Sequence, residues 1–66
     1  MKVRLNGVDE VLDGEMALDE LVARLGIEPA NLVIELNGAV LAHEEWPAHR
    51  VHEGDAIEMV RFVGGG

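Results

Sequence analysis

Gly64, Gly65 and Gly66 follow Val63 as an unbroken run at the end of the sequence. A terminal glycine run presents a carboxylate on a thread without side chains. Glycine accepts backbone angles closed to other residues, so such a thread can bend into a narrow active site on another protein. The chain has no cysteine, so it cannot hold sulfur or an acyl group on a thiol. If it carries a group covalently by the thiol or carboxyl route, the Gly66 carboxylate is the place. The competing expectation is a frayed end without a function, as chain ends often are.

Other residue types with chemical potential are more simply explained as structure. His49 and His52 lie three apart, with His43 nearby. A metal site needs a converging ligand set, and this stretch is expected to be a loop, so no metal site is expected. Asp9, Glu10 and Asp13, and likewise Glu44 and Glu45, could form acid/base pairs. Nothing suggests a pocket that would tune a carboxylate, so a solvated acidic face is the expectation. No catalytic residue is assigned. Trp46, the only tryptophan, is expected to pack the loop onto the core, with a partner interface as the alternative.

The elements that must position the glycine thread follow from pattern. Met1–Leu5 alternates polar and apolar residues, as a half-buried strand does. Asn6-Gly7 favours a two-residue hairpin turn, returning along Val8–Leu12. Leu18, Leu21, Val22 and Leu25 make one apolar stripe on a helix. Asp13 is a candidate N-cap, Gly26 the expected C-cap, and Pro29 stops the helix. Leu32–Leu36 reads as a strand with Leu32, Ile34 and Leu36 inward. Asn37-Gly38 is a second hairpin signal before a short Val40–Leu41 strand. His43–His52 reads as a connecting loop with room for a helical turn. Glu53-Gly54-Asp55 is a turn, and Ala56–Val63 is the last strand.

This is an α+β order: a mixed sheet of about four to five strands on one main helix. The helix can cover only one face, over Val3, Leu5, Ile34, Leu36, Ile57 and Met59. Val33, Val60 and Phe62 fall on the other. That leaves an apolar patch beside the glycine thread, and such patches mark interaction sites. Residues 1–63 are expected to fold as one domain, with 64–66 as a flexible tail.

With 66 residues, a domain buries only about 60% of the surface its unfolded chain exposes. That favours a carrier, adaptor or subunit over a stand-alone enzyme. The formal net charge is −8, which disfavours nucleic acid and anionic membranes and suits a basic protein partner. Lys2, Arg4, Arg24, Arg50 and Arg61 are scattered, without the cluster a nucleic-acid binder needs. No charged start followed by a long apolar stretch marks a signal peptide, and no apolar run is long enough to span a bilayer. A cytoplasmic protein, monomeric on its own, is expected.

The order, with a last strand running into Gly65-Gly66, resembles the ubiquitin-like β-grasp fold, and within it the ThiS family of thiamine-biosynthesis sulfur carriers. The matching residues are Leu5-Asn6-Gly7, Leu18–Leu25, Asn37-Gly38, Glu45-Trp46, Gly54-Asp55, Ile57-Glu58 and Gly65-Gly66. Two departures stand out. The family needs two terminal glycines, so Gly64 is extra, and Ala17 stands where a hydroxyl residue often starts the helix.

The resemblance implies a cycle. An adenylyltransferase similar to ubiquitin-activating enzymes would use ATP to adenylate Gly66. A sulfur donor such as a cysteine desulfurase would convert the adenylate to a thiocarboxylate, and thiazole synthase would take the sulfur. Gly64 and Gly65 would thread into partner active sites, and Val33, Val60 and Phe62 would form the docking surface. The chain would bind no cofactor; ATP would belong to the activating partner. Alternatives are the small subunit of molybdopterin synthase, a carrier for tRNA thiolation, a ubiquitin-type protein modifier, and a non-covalent β-grasp adaptor.

Overall fold

The computed structural model describes residues 1–62. Strand β1 (Lys2–Leu5) turns through Asn6-Gly7 into β2 (Val8–Val11). Both turn residues have positive φ, +50° for Asn6 and +80° for Gly7, the geometry that makes Asn-Gly a hairpin turn. Asn37 (φ +52°) and Gly38 (φ +87°) repeat it between β4 (Leu32–Leu36) and β5 (Ala39–Leu41). The last strand, β7 (Ala56–Arg61), ends two residues short of the expected Val63, which lies outside the described residues.

The sheet order is β2-β1-β7-β4-β5. The C-terminal strand is therefore the middle of the sheet, parallel to β1 and antiparallel to β4. This is the mixed five-stranded sheet of a β-grasp fold.

Helix α1 (Leu18–Arg24) crosses one face and buries Leu18, Leu21 and Val22. Its expected N-cap, Asp13, lies outside the helix start. Ala17 occupies the N-cap and has no side-chain oxygen to offer. Instead the Ala17 N–H donates to the Glu20 carboxylate at 3.2 Å, half of a capping box. At the other end Gly26 (φ +70°) closes the helix as expected. Its N–H bonds the Ala23 carbonyl, and the Ile27 N–H bonds that of Val22, a Schellman motif.

The core is the predicted inward set and more. Val3, Leu32, Ile34, Ile57 and Met59 from the sheet meet Leu18, Leu21 and Val22 from the helix, with Leu5 and Leu36 packed at the margin. One piece was not foreseen, and a second was expected only as a helical turn within a loop. Met16–Ala17 (β3) pairs antiparallel with Arg50–Val51 (β6), and Met16 and Val51 are both fully buried. His43–Ala48 is a 3-10 helix. It drives Trp46, 3% exposed, into the core, the packing role expected of it.

Side chains from both hairpin turns hold β7. The Asn6 amide donates to the Met59 carbonyl at 3.3 Å and its oxygen accepts the Met59 N–H at 2.7 Å. One side chain thus extends the β1 ladder past the end of β1. Asn37 does the same at the other end, accepting the Ala56 N–H at 2.9 Å and donating to Asp55 at 3.0 Å.

On the face away from α1, Glu35 and Glu58 lie directly opposite each other across β4 and β7. Opposed like charges destabilise a sheet. Among the described residues neither carboxylate forms an ion pair, whereas Lys2 and Arg4, on the neighbouring strand β1, both sit against Asp9, at 3.9 and 3.8 Å.

Two changes test this account. Asn6→Ala should destabilise the domain by about 2 kcal/mol, because it removes two hydrogen bonds and leaves Met59 unpaired on that side; urea unfolding checks it. Glu58→Gln should do the reverse and raise the urea midpoint by a few tenths of a kcal/mol in stability, by removing the repulsion from Glu35.

Candidate functional site

The open face of the sheet is built by alternation. On β7, Ile57 and Met59 point to the helix, so Glu58 and Val60 point away, and Phe62 continues that side just beyond the strand. On β4, Leu32 and Ile34 point in, so Val33 and Glu35 point out. The register brings Val33 opposite Val60, so two of the three residues expected at the docking surface are a cross-strand pair. Val33 is half-buried, while Val60 and Phe62 are 53% and 62% exposed.

Phe62 is not loosely held. Its N–H donates to the Asn31 carbonyl at 2.8 Å, and Asn31 adopts φ +62° at the entrance to β4. The neighbouring Arg61 side chain turns to the other face and reaches the Glu28 carbonyl at 3.3 Å. The aromatic ring is therefore delivered from a fixed backbone, at the last described residue before the glycine run. Gly64, Gly65 and Gly66 themselves lie outside the described residues.

Val40 on β5 adds to this patch. It pairs with Glu35 and is 65% exposed. The sequence pattern put Val40 on a strand but gave no face for it; the pairing does. The result is an apolar surface of Val33, Val40, Val60 and Phe62 beside the Glu35–Glu58 pair. Surfaces of this kind mark protein interaction sites.

Most of the remaining candidates have structural partners. Asp9 sits against Lys2 and Arg4 on the surface, and Glu45 accepts the Ala42 N–H at 2.9 Å, as a cap of the 3-10 helix. His43 stacks on Trp46 with ring centroids 4.1 Å apart, and its Nε2 contacts the Leu32 carbonyl at 2.6 Å. His49 lies 4.0 Å from Glu45, and His52 lies 3.9 Å from Asp55. Asp55 in turn accepts the His52 backbone N–H at 2.7 Å and so closes the turn before β7. No three His, Asp or Glu residues converge on a possible metal position among the described residues. Nor is any helix there long and apolar enough to cross a membrane.

Among the described residues the site is a rigid apolar and acidic face with Phe62 at its edge. Comparison with known proteins gives that arrangement a family. Residues 3–66 match the ThiS family. The crystal structure of a thiamine biosynthesis protein (ThiS) from Geobacter metallireducens is similar over the whole of both chains, with 36% identity and a TM-score of 0.89. A solution structure of a thiamine biosynthesis protein from the same organism is 38% identical, covers all of this chain and 88% of that one, and has a TM-score of 0.82. Curated relatives are named thiazole synthase. That of Magnetococcus marinus is 36% identical and that of Paramagnetospirillum magneticum 29% identical, each over all 66 residues of this chain. The chain spans 20% of the length of these two relatives. By the match over residues 3–66 and the full-length structural likeness, the chain belongs to the ThiS family.

Proposed function

We propose that this chain is a sulfur carrier for the formation of the thiazole ring in thiamine biosynthesis, and that it carries the sulfur on the carboxyl group of Gly66. The observation that carries the reading is a fixed apolar face that reaches Phe62, followed in sequence by Gly64, Gly65 and Gly66, in a chain of the ThiS family.

The chemistry follows from what a carboxylate lacks. Its negative charge repels nucleophiles, and oxide is no leaving group. In the proposed cycle an adenylyltransferase related to ubiquitin-activating enzymes joins the Gly66 carboxylate to the α-phosphate of ATP and releases pyrophosphate. The acyl-adenylate then has a leaving group. A sulfur donor such as a cysteine desulfurase supplies a persulfide as the nucleophile, and AMP departs to leave an acyl disulfide. A thiol reductant cleaves its S–S bond, keeping the donor's sulfur in a new disulfide and leaving the thiocarboxylate. Thiazole synthase then draws on that sulfur. The curated relatives support this last partner, because they hold the matched segment within a much longer chain named thiazole synthase.

In this scheme the chain is not the catalyst. It contributes no nucleophile or general base beyond its own end. Val33, Val60 and Phe62 hold the partner, while Gly64 and Gly65 pass through the partner's narrow approach, where side chains would not fit. ATP is bound by the activating enzyme.

Intact-protein mass spectrometry tests the proposal, after incubation with the activating enzyme, ATP and a sulfur source. The expected result is a gain equal to exchanging one oxygen for sulfur, confined to the C-terminal peptide and absent when Gly65 and Gly66 are both deleted. A wild-type chain left unchanged by a competent enzyme would overturn the proposal and favour a non-covalent adaptor; adducts joined to target lysines would favour a protein modifier. Phe62→Asp should weaken binding to the activating enzyme by about tenfold, or about 1.4 kcal/mol, without unfolding the domain. Calorimetry with the folded variant checks it.

A further inference from the structure

The Glu35–Glu58 pair is an anomaly that the carrier reading leaves unused. The two carboxylates are opposed on the central strands β4 and β7. The Phe62 N–H bonds the Asn31 carbonyl, and pairs alternate along an antiparallel ladder. Glu35 and Glu58 therefore form a hydrogen-bonded pair with Cα atoms about 5.5 Å apart. Their side chains rise from the same face side by side. The cations of that face, Lys2 and Arg4, lie on β1, where Arg4 stands opposite Ala56, two residues from Glu58, and both side chains are turned to Asp9. Arg61, the nearest along the strand, points to the opposite face and bonds the Glu28 carbonyl. Among the described residues no cation forms an ion pair with either carboxylate, and the two stand at the edge of the apolar surface, between it and β1.

The surroundings say what would relieve their repulsion. Val40 flanks Glu35 on β5. Val33 and Val60 make the next pair along the same face, and Phe62 lies beyond them. A partner seated on these residues removes water from around the carboxylates, which raises the cost of leaving them unpaired. A second copy of this chain would bring acidic residues against acidic residues, since it carries 13 Asp and Glu against 5 Lys and Arg. A small cation would leave the valines and Phe62 uncovered. A guanidinium meets both demands: its planar set of N–H donors can reach two carboxylates, and its weakly hydrated body packs against apolar side chains.

We infer that the Glu35–Glu58 pair receives an arginine side chain from the activating enzyme that docks on this face. The inference rests on the carrier reading above and adds to it the charge chemistry of the interface. The acidic pair then serves as the register mark of the complex, fixing where on the flat sheet the partner sits and so where the chain end is delivered.

The test uses the full chain and the activating enzyme encoded in the same genome, with AMP formation followed as the carrier concentration is varied. Glu35→Gln with Glu58→Gln keeps shape and removes both charges. The expected result is a rise of about tenfold or more in KM for the carrier, as loss of a desolvated charge pair gives. The turnover number at saturation should stay near that of wild type, and the salt dependence of KM should flatten. Glu10→Gln with Glu28→Gln changes the net charge equally, away from the open face, and should leave KM near wild type. An unchanged KM in the Glu35/Glu58 variant would overturn the inference. So would an equal rise in the Glu10/Glu28 control, since the effect would then be one of overall charge. In both cases the wild-type chain would still be adenylated and the carrier reading would stand. A wild-type chain that is never adenylated overturns both.

Discussion

Strand β7 hydrogen-bonds to β1 along one edge and to β4 along the other, and the sheet closes only through that double pairing. The two flanking hairpins are local, each made by an Asn-Gly turn. Neither can bury its apolar side alone, and isolated hairpins are marginal in water. Between them lies a gap one strand wide, filled by the last segment of the chain. Ile57 and Met59 bring the apolar side chains that join the two halves of the core. Asn6 and Asn37 show how closely the gap is tailored, since each reaches across from its turn to satisfy backbone groups of the incoming strand. The pairings span most of the sequence, so loop-closure entropy must be met before they form, which slows folding.

The same constraint explains the functional face. A strand in the middle of a sheet has one side committed to the core and one side free. The helix takes the first through Ile57 and Met59, which leaves Glu58, Val60 and Phe62 to the second. The site is thus a by-product of the alternation that builds the core. It is rigid for the same reason: the backbone bearing Val60 is held on the side of β4, and Phe62 is fixed through Asn31. A flat interface on rigid strands loses little side-chain and loop freedom on docking, which favours affinity.

Much of this was legible in the sequence, and the parts that were not share a cause. Both hairpins were readable because Asn-Gly carries its own conformational preference. The helix stripe and its Gly26 stop were readable because they repeat locally. Val33, Val60 and Phe62 could be assigned to the open face from period-two alternation alone. The β3–β6 ladder was not readable, because Met16–Ala17 and Arg50–Val51 are too short to show a period and find each other only in space. The helix start misled because Ala17 has no capping oxygen and Glu20 supplies one from inside the helix. The opposition of Glu35 and Glu58 was hidden most completely. Each looks like an ordinary outward carboxylate, and only the register of two strands far apart in sequence makes them neighbours.

The parallel arrangement of β1 and β7 also has a mechanical side. The first strand and the last run the same way, side by side, so a pull on the chain beyond Phe62 acts along β7 and against both of its neighbours at once. The ladders are loaded in shear, and their hydrogen bonds must yield together rather than open one after another like a zipper. In the proposed cycle, an enzyme that gripped the glycine end and drew it inward would tug on the best-anchored strand of the domain, and a carrier built this way could be hauled by its end and still arrive folded.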